Sequence, residues 1–185
     1  MICLKTKRKS LQLMGVIGPL AMAFALLTPI SGSAQTSAAA KPGPTPEQAQ
    51  TACERGNVSA CLALGRMLQT GAGVPVDPVS AYALFKRVCD AGDARGCIAQ
   101  AKSMNTGTGV AQDVLAATSL LEKTCDAGSP QACAYAGRQY SDGIVPSLNP
   151  AMMAYSLFEQ ACKPDFPEGC TLRDELADII ADMKL

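Results

Sequence analysis

The chain has 185 residues, 16 basic and 16 acidic side chains, nine cysteines, and neither histidine nor tryptophan. The absence of histidine removes Cys2His2 zinc sites, Ser-His-Asp triads and Cys-His dyads. Aromatic content of 4% leaves a core of Ala, Leu, Val, Met and Cys, whose small side chains each bury little area at about 25 cal/mol per Å².

Residues 1–34 read as a signal peptide. Lys5, Lys7, Arg8 and Lys9 form a basic start, Leu11 to Leu27 an apolar run, and Ser31-Gly32-Ser33-Ala34 a small-residue stretch suited to cleavage before Gln35. An uncleaved anchor is the competing reading, against which stand the shortness of the run and the cleavage-like site. Removal leaves 12 basic against 16 acidic residues and an even eight cysteines. An exported chain with an even, regularly spaced set reads as a disulfide framework, periplasmic or secreted. Net negative charge without a Lys/Arg cluster argues against nucleic acid as partner, and no membrane span is expected after cleavage.

Residues 35–45 (QTSAAAKPGPT) read as a disordered linker. Pro46-Glu47 fits the first turn of a helix ending near Gly56. The eight remaining cysteines then fall into four pairs, Cys53/Cys61, Cys89/Cys97, Cys125/Cys133 and Cys162/Cys170, each with seven residues between its members. The first cysteines step by 36, 36 and 37 residues, a period that marks a helical-repeat solenoid.

In register, Leu64, Gly65 and Leu68 recur as Gln100, Ala101 and Met104, then as Ala136, Gly137 and Tyr140. The 64/68 position is expected to form a buried stripe, and the small residue between to admit a second helix closely. Gly71, Gly107 and Gly143 end the first helices. Asp77-Pro78, Asp113 and Asn149-Pro150 open the second helices, which carry the anchors Leu84-Phe85, Leu120-Leu121 and Leu157-Phe158. Gly92 and Gly128 close the first two, with Pro164 and Pro167 expected to close the third. The extra residue behind the 37-residue step fits the GIVPSLNP loop. Leu172, Leu176, Ile179, Ile180 and Met183 are expected to share the apolar face of a C-terminal capping helix, residues 171–185.

Each cysteine pair joins the end of one second helix to the start of the next first helix. Seven intervening residues with a Gly or Pro turn can bring two Cα atoms within disulfide range. Zinc ligation and redox catalysis favour closer spacings, C-x2–4-C or C-x-x-C, which these pairs lack, so structural disulfides are expected. Pairing across repeats is the competing structural arrangement, disfavoured because each repeat carries its own local partner.

The run C-x-x-L-G-x5-G-x-G-V with its following Asp, then A-x-x-L-F and C-D-A-G, resembles the Sel-one-like repeat, a relative of the tetratricopeptide helix pair. The C-x7-C pairs resemble its bacterial cysteine-rich, exported branch. The match covers residues 46–170; the third repeat departs in reading GIV for GxGV and KPDFPEG for the DAG turn. The resemblance implies an all-α, right-handed solenoid of antiparallel helix pairs with disulfides bridging successive pairs. It also implies protein–protein or peptide interaction in the cell envelope. An alternative from the same branch is penicillin binding with weak β-lactam hydrolysis; a purely structural envelope protein is a third reading.

No serine has lysine three residues on, as S-x-x-K would require. Ser119 and Lys123 are four apart beside Glu122, without a second motif, so no catalytic residues are assigned, nor any metal or cofactor. The candidate site is instead a basic ladder. Arg66, Lys102 and Arg138 occupy one position in three first helices, with the amides Gln69 and Asn105 nearby. Such a face lines the concave groove of tetratricopeptide-like solenoids and would suit an acidic or carboxylate-bearing peptide. A solvated face whose long side chains cover apolar neighbours remains the other explanation. Glu175 interrupts the ladder in the terminal helix.

Overall fold

The computed structural model describes residues 43–183. The expected signal peptide (1–34) and residues 35–42 of the expected linker lie outside them. Among the described residues there are eight helices: α1 (Pro46–Glu54), α2 (Val58–Thr70), α3 (Pro78–Asp90), α4 (Ala94–Thr106), α5 (Val114–Asp126), α6 (Pro130–Ser141), α7 (Pro150–Ala161) and α8 (Pro167–Met183). Each packs on the next in sequence, giving an α-solenoid of helix pairs. The first helices also touch across repeats, α4 with α6 and α6 with α8.

Helix ends follow the local chemistry. Thr45, assigned from sequence to the linker, instead closes a capping box: its hydroxyl accepts from Gln48 N and Gln48 Oε1 accepts from Thr45 N. Asp77 and Asp113 cap α3 and α5 by accepting from Ser80 N and Ala116 N. Asn149 makes no such bond before α7, although its backbone conformation is close to that of Asp77. Pro167 opens α8 rather than closing α7, since a proline lacking N–H fits a first helical turn. The terminal helix therefore starts at Pro167, not residue 171, and contains Cys170.

The second-helix anchors make the core. Ala81, Phe85 and Val88 of α3 are buried with Leu62, Cys53 and Cys61. Leu121 is buried with Ala101, Ala117, Ala132, Cys125 and Cys133, and Phe158 with Ala154 and Leu176. The apolar face expected of the last helix is only partly buried: Leu176 is covered, whereas Ile179 and Met183 are exposed.

All four local cysteine pairs are disulfides, Cys53–Cys61, Cys89–Cys97, Cys125–Cys133 and Cys162–Cys170, with Cα atoms 4.3–4.6 Å apart. Gly56, Gly92 and Gly128 make the first three seams possible, each at positive φ and each donating its N–H to the carbonyl of the cysteine three residues before.

Candidate functional site

Arg66, Lys102 and Arg138 project from α2, α4 and α6, the first helices of three repeats, and the partners of Lys102 and Arg138 come from the next repeat along. Lys102 Nζ donates to Tyr135 Oη at 2.6 Å and lies 4.1 Å from the Tyr135 ring centroid. The phenol oxygen and the ring face thus hold one cation together. Arg138 Nη2 donates to Glu168 Oε1 at 2.5 Å, an ion pair with both side chains substantially exposed. Arg66 is exposed and makes no side-chain hydrogen bond or ion pair among the described residues. The three cations therefore differ: one is unpaired, one is seated on a tyrosine, and one is neutralised by a carboxylate.

The flanking residues also differ from a simple row. Gln69 is half-buried. The Asn105 amide oxygen is shielded from solvent, so it is not offered on the face, while its main-chain carbonyl accepts from Gln112 Nε2 at 2.7 Å. Leu62 and Ala134, four residues before Arg66 and Arg138, are buried. A small cleft of about 140 Å³ lies between α6 and α8, where Tyr135, Arg138, Phe166 and Glu168 meet.

Tyr135 and Glu168 escaped the sequence reading because equivalent positions were compared only with one another. Tyr135 lies 33 residues beyond Lys102, one helical turn short of a full repeat, and a search of adjacent turns would have found it.

The expected 64/68 stripe is half-buried and faces the second helices. Leu64 and Leu68 line an apolar groove of about 600 Å³ between α1 and α3, with Val74 and Leu84, under a rim of Glu47, Glu54 and Arg87. Arg87 lies over the first disulfide, donating to Cys61 Sγ at 2.7 Å and to the Cys53 carbonyl at 3.4 Å. The corresponding positions of later repeats are bridged by side chains. Gln100 Nε2 donates to Tyr82 Oη at 3.3 Å, and Tyr140 Oη donates to Glu122 Oε1 at 2.7 Å. That bond to Glu122, with burial, pushes the Tyr140 phenol up to about 12. Pro46 stands one repeat before Tyr82, so no tyrosine closes the first groove.

Ser119 and Lys123 are both exposed on α5. Among the described residues no group of His, Cys, Asp or Glu side chains could hold a metal ion. No helix among them is long and apolar enough to cross a membrane.

Comparison with known proteins places this architecture. The Sel1 repeat profile matches residues 58–93, 101–129 and 130–163. None of the curated proteins matches the sequence. Similar solved structures include a protective antigen of uropathogenic Escherichia coli displaying an SLR fold (24% identity, TM-score 0.60, 72% of this chain and 28% of that one). A Sel1 repeat protein from Oxalobacter formigenes is 23% identical with a TM-score of 0.56, over 63% of this chain and 34% of that one. Helicobacter pylori cysteine rich protein B is 28% identical with a TM-score of 0.44, over 48% and 66%. The chain thus spans about a third or less of the length of the first two. With three matched repeats covering more than half of its sequence, and each built as a helix pair, the chain belongs to the Sel1-repeat family.

Proposed function

We propose that this Sel1-repeat protein is an exported scaffold that binds a protein or peptide partner in the cell envelope or outside it. The observation that carries this reading is the disulfide at every inter-repeat seam of a helix-pair solenoid. Such staples suit an oxidising compartment and a rigid display surface. The basic N-terminal region and apolar run support export but lie outside the described residues.

On the first-helix face, Arg66 is the anchor for a carboxylate of the partner, because its exposed guanidinium is unengaged among the described residues and its planar donors suit bidentate pairing. Lys102, fixed on Tyr135, supplies a second positive charge one repeat away. Arg138 contributes only when the partner's carboxylate displaces Glu168. The β-lactam-hydrolysing alternative gains no support from Ser119 and Lys123, which lack accompanying groups.

Binding of a glutamate-rich peptide, followed by fluorescence anisotropy, tests the assignment. Arg66→Ala weakens it about tenfold and Arg138→Ala much less. Equal effects, or none from Arg66→Ala, would remove Arg66 as anchor.

A further inference from the structure

The loops that join first to second helices form an edge with unusual surface chemistry. Val79, Leu115 and Met152 occupy one position near the start of α3, α5 and α7, and they are 65%, 63% and 62% exposed. The same register position is thus apolar and exposed in three repeats. Val76, Ile144 and Leu148, in the loops beside them, are exposed as well. The loops stack directly on the preceding repeat: a β-carbon on Gly109 would lie 1.9 Å from the Pro78 carbonyl oxygen and 2.9 Å from Val79 N. The loop before α5 therefore touches the start of α3, which makes the edge continuous there.

The charges on this edge have one sign. No lysine or arginine occurs from 67 to 85, from 103 to 122 or from 139 to 162, the stretches that contain these loops; Arg138, in the last turn of α6, is the one adjoining cation and is paired with Glu168. Asp77, Asp113 and Asp142 lie in them. Helix C-termini ordinarily attract basic residues, yet α2 and α4 have none in their last turns. Lysine and arginine, whose stems commonly cover exposed apolar groups, are absent where such covering is most needed. The basic residues of the folded part cluster instead towards the disulfide seams, as with Lys86, Arg87, Arg95 and Lys123.

We propose that this loop edge is a docking surface for a cationic, apolar segment of a partner protein, its apolar side chains on the Val79, Leu115 and Met152 row and its lysines or arginines against Asp77, Asp113 and Asp142. Exposed apolar area in a repeating row supplies the contact, and the uniform negative charge selects the sign of the partner. The same charge disfavours an anionic lipid surface. The assignment stands independently of the carboxylate-binding reading of Arg66, which uses other residues.

A labelled peptide of alternating leucine and lysine, titrated with the mature oxidised protein and followed by anisotropy, tests it. Val79→Ser/Leu115→Ser/Met152→Ser weakens binding at least about tenfold, while Ile179→Ser/Met183→Ser, elsewhere on the surface, leaves it unchanged. Asp77→Asn/Asp113→Asn weakens binding several-fold at low salt and little at high salt, because asparagine keeps the helix caps while the charge is lost. Circular dichroism and thiol titration establish that each variant is folded and oxidised. Failure of the peptide to bind overturns the proposal, as does binding that the triple serine variant leaves intact. Adsorption to phosphatidylcholine vesicles or concentration-dependent self-association, lost in that variant, assigns the edge to lipid or to a second copy and equally overturns it.

Discussion

The ring of Phe85 occupies the place a side chain on residue 65 would need: a β-carbon on Gly65 would lie 2.5 Å from Phe85 Cε1. Gly137 and Phe158 repeat the relationship, again at 2.5 Å. The middle repeat has Ala101 opposite the smaller Leu121, both buried. Within one chain, the size of the second-helix anchor thus compensates the size of the first-helix residue. Phe85 is 1% exposed and cannot swing aside. Gly65→Ala therefore destabilises the fold by about 1–2 kcal/mol, the overpacking cost exceeding the gain in helix propensity. Adding Phe85→Leu recovers part of the loss, seen as a positive coupling in thermal or urea unfolding.

Gly109 and Gly107 separate two demands on glycine. Both have positive φ, +75° and +70°, but of the two only at Gly109 would a β-carbon clash with main chain, the Pro78 carbonyl; at Gly107 the contacts are ordinary. Gly107→Ala costs about 1 kcal/mol for its left-handed conformation. Gly109→Ala costs clearly more, because two backbone segments must part. Comparable losses in urea unfolding of the two variants would contradict the stacked-loop geometry.

Cys125 and Cys133 are both buried within the central core, whereas Cys89 is only half-buried. Replacing either pair by alanine loses about 2–3 kcal/mol of loop constraint. The Cys125/Cys133 pair loses more, since it also leaves unfilled core volume. The order of melting temperatures of the two double variants, measured oxidised, checks this.

Tyr140 predicts behaviour at alkaline pH. Its folded-state value is pushed up to about 12 from an ordinary 10, chiefly by the bond to Glu122. The folded chain therefore holds that proton more tightly than the unfolded chain. The associated stability is fully present below about pH 10 and disappears as pH rises towards 12. Spectrophotometric titration of the four tyrosines shows one late ionisation, and Tyr140→Phe removes it. At the acid end, Asp77 and Asp93 are held below the usual carboxylate range, first by hydrogen bonds from Ser80 and Arg95. Their contribution is present above about pH 4 and is lost as pH falls.

The repeat, the disulfide pairing and most helix ends were legible because they depend on local rules. A cysteine pair with seven residues between and a glycine turn closes within one seam. Asp77 and Asp113 cap helices three residues away, and Pro46 starts one. The contents of the site were not legible, because they depend on which side chain of the next repeat reaches back. Lys102 and Arg138 share a register position, yet one meets Tyr135 and the other Glu168, a full turn apart in their own repeats. Periodicity also overstated burial at Leu64 and Leu68: α1 presents Pro46 where α3 presents Tyr82, and a groove opens that interior repeats close. The second expectation of this kind, Ile179 and Met183 on a covered face, failed: Leu176 and Ile180 pack on the α7 cluster, while Ile179 and Met183 stay exposed.

The placement of the disulfides bears on how the chain acquires them. Each correct bond closes a loop over a sequence separation of 8, whereas the nearest incorrect partners, such as Cys61 and Cys89, are 28 apart. Loop closure alone favours the correct bond by about 1 kcal/mol, before the glycine turn adds its bias. A chain meeting an oxidant from its N-terminus onward has the proper partner of each pair's first cysteine emerge 28 or 29 residues before the next competitor. Oxidation then follows the order of the sequence, each bond fixing one repeat on its predecessor. Reshuffling by an isomerase is left little to correct.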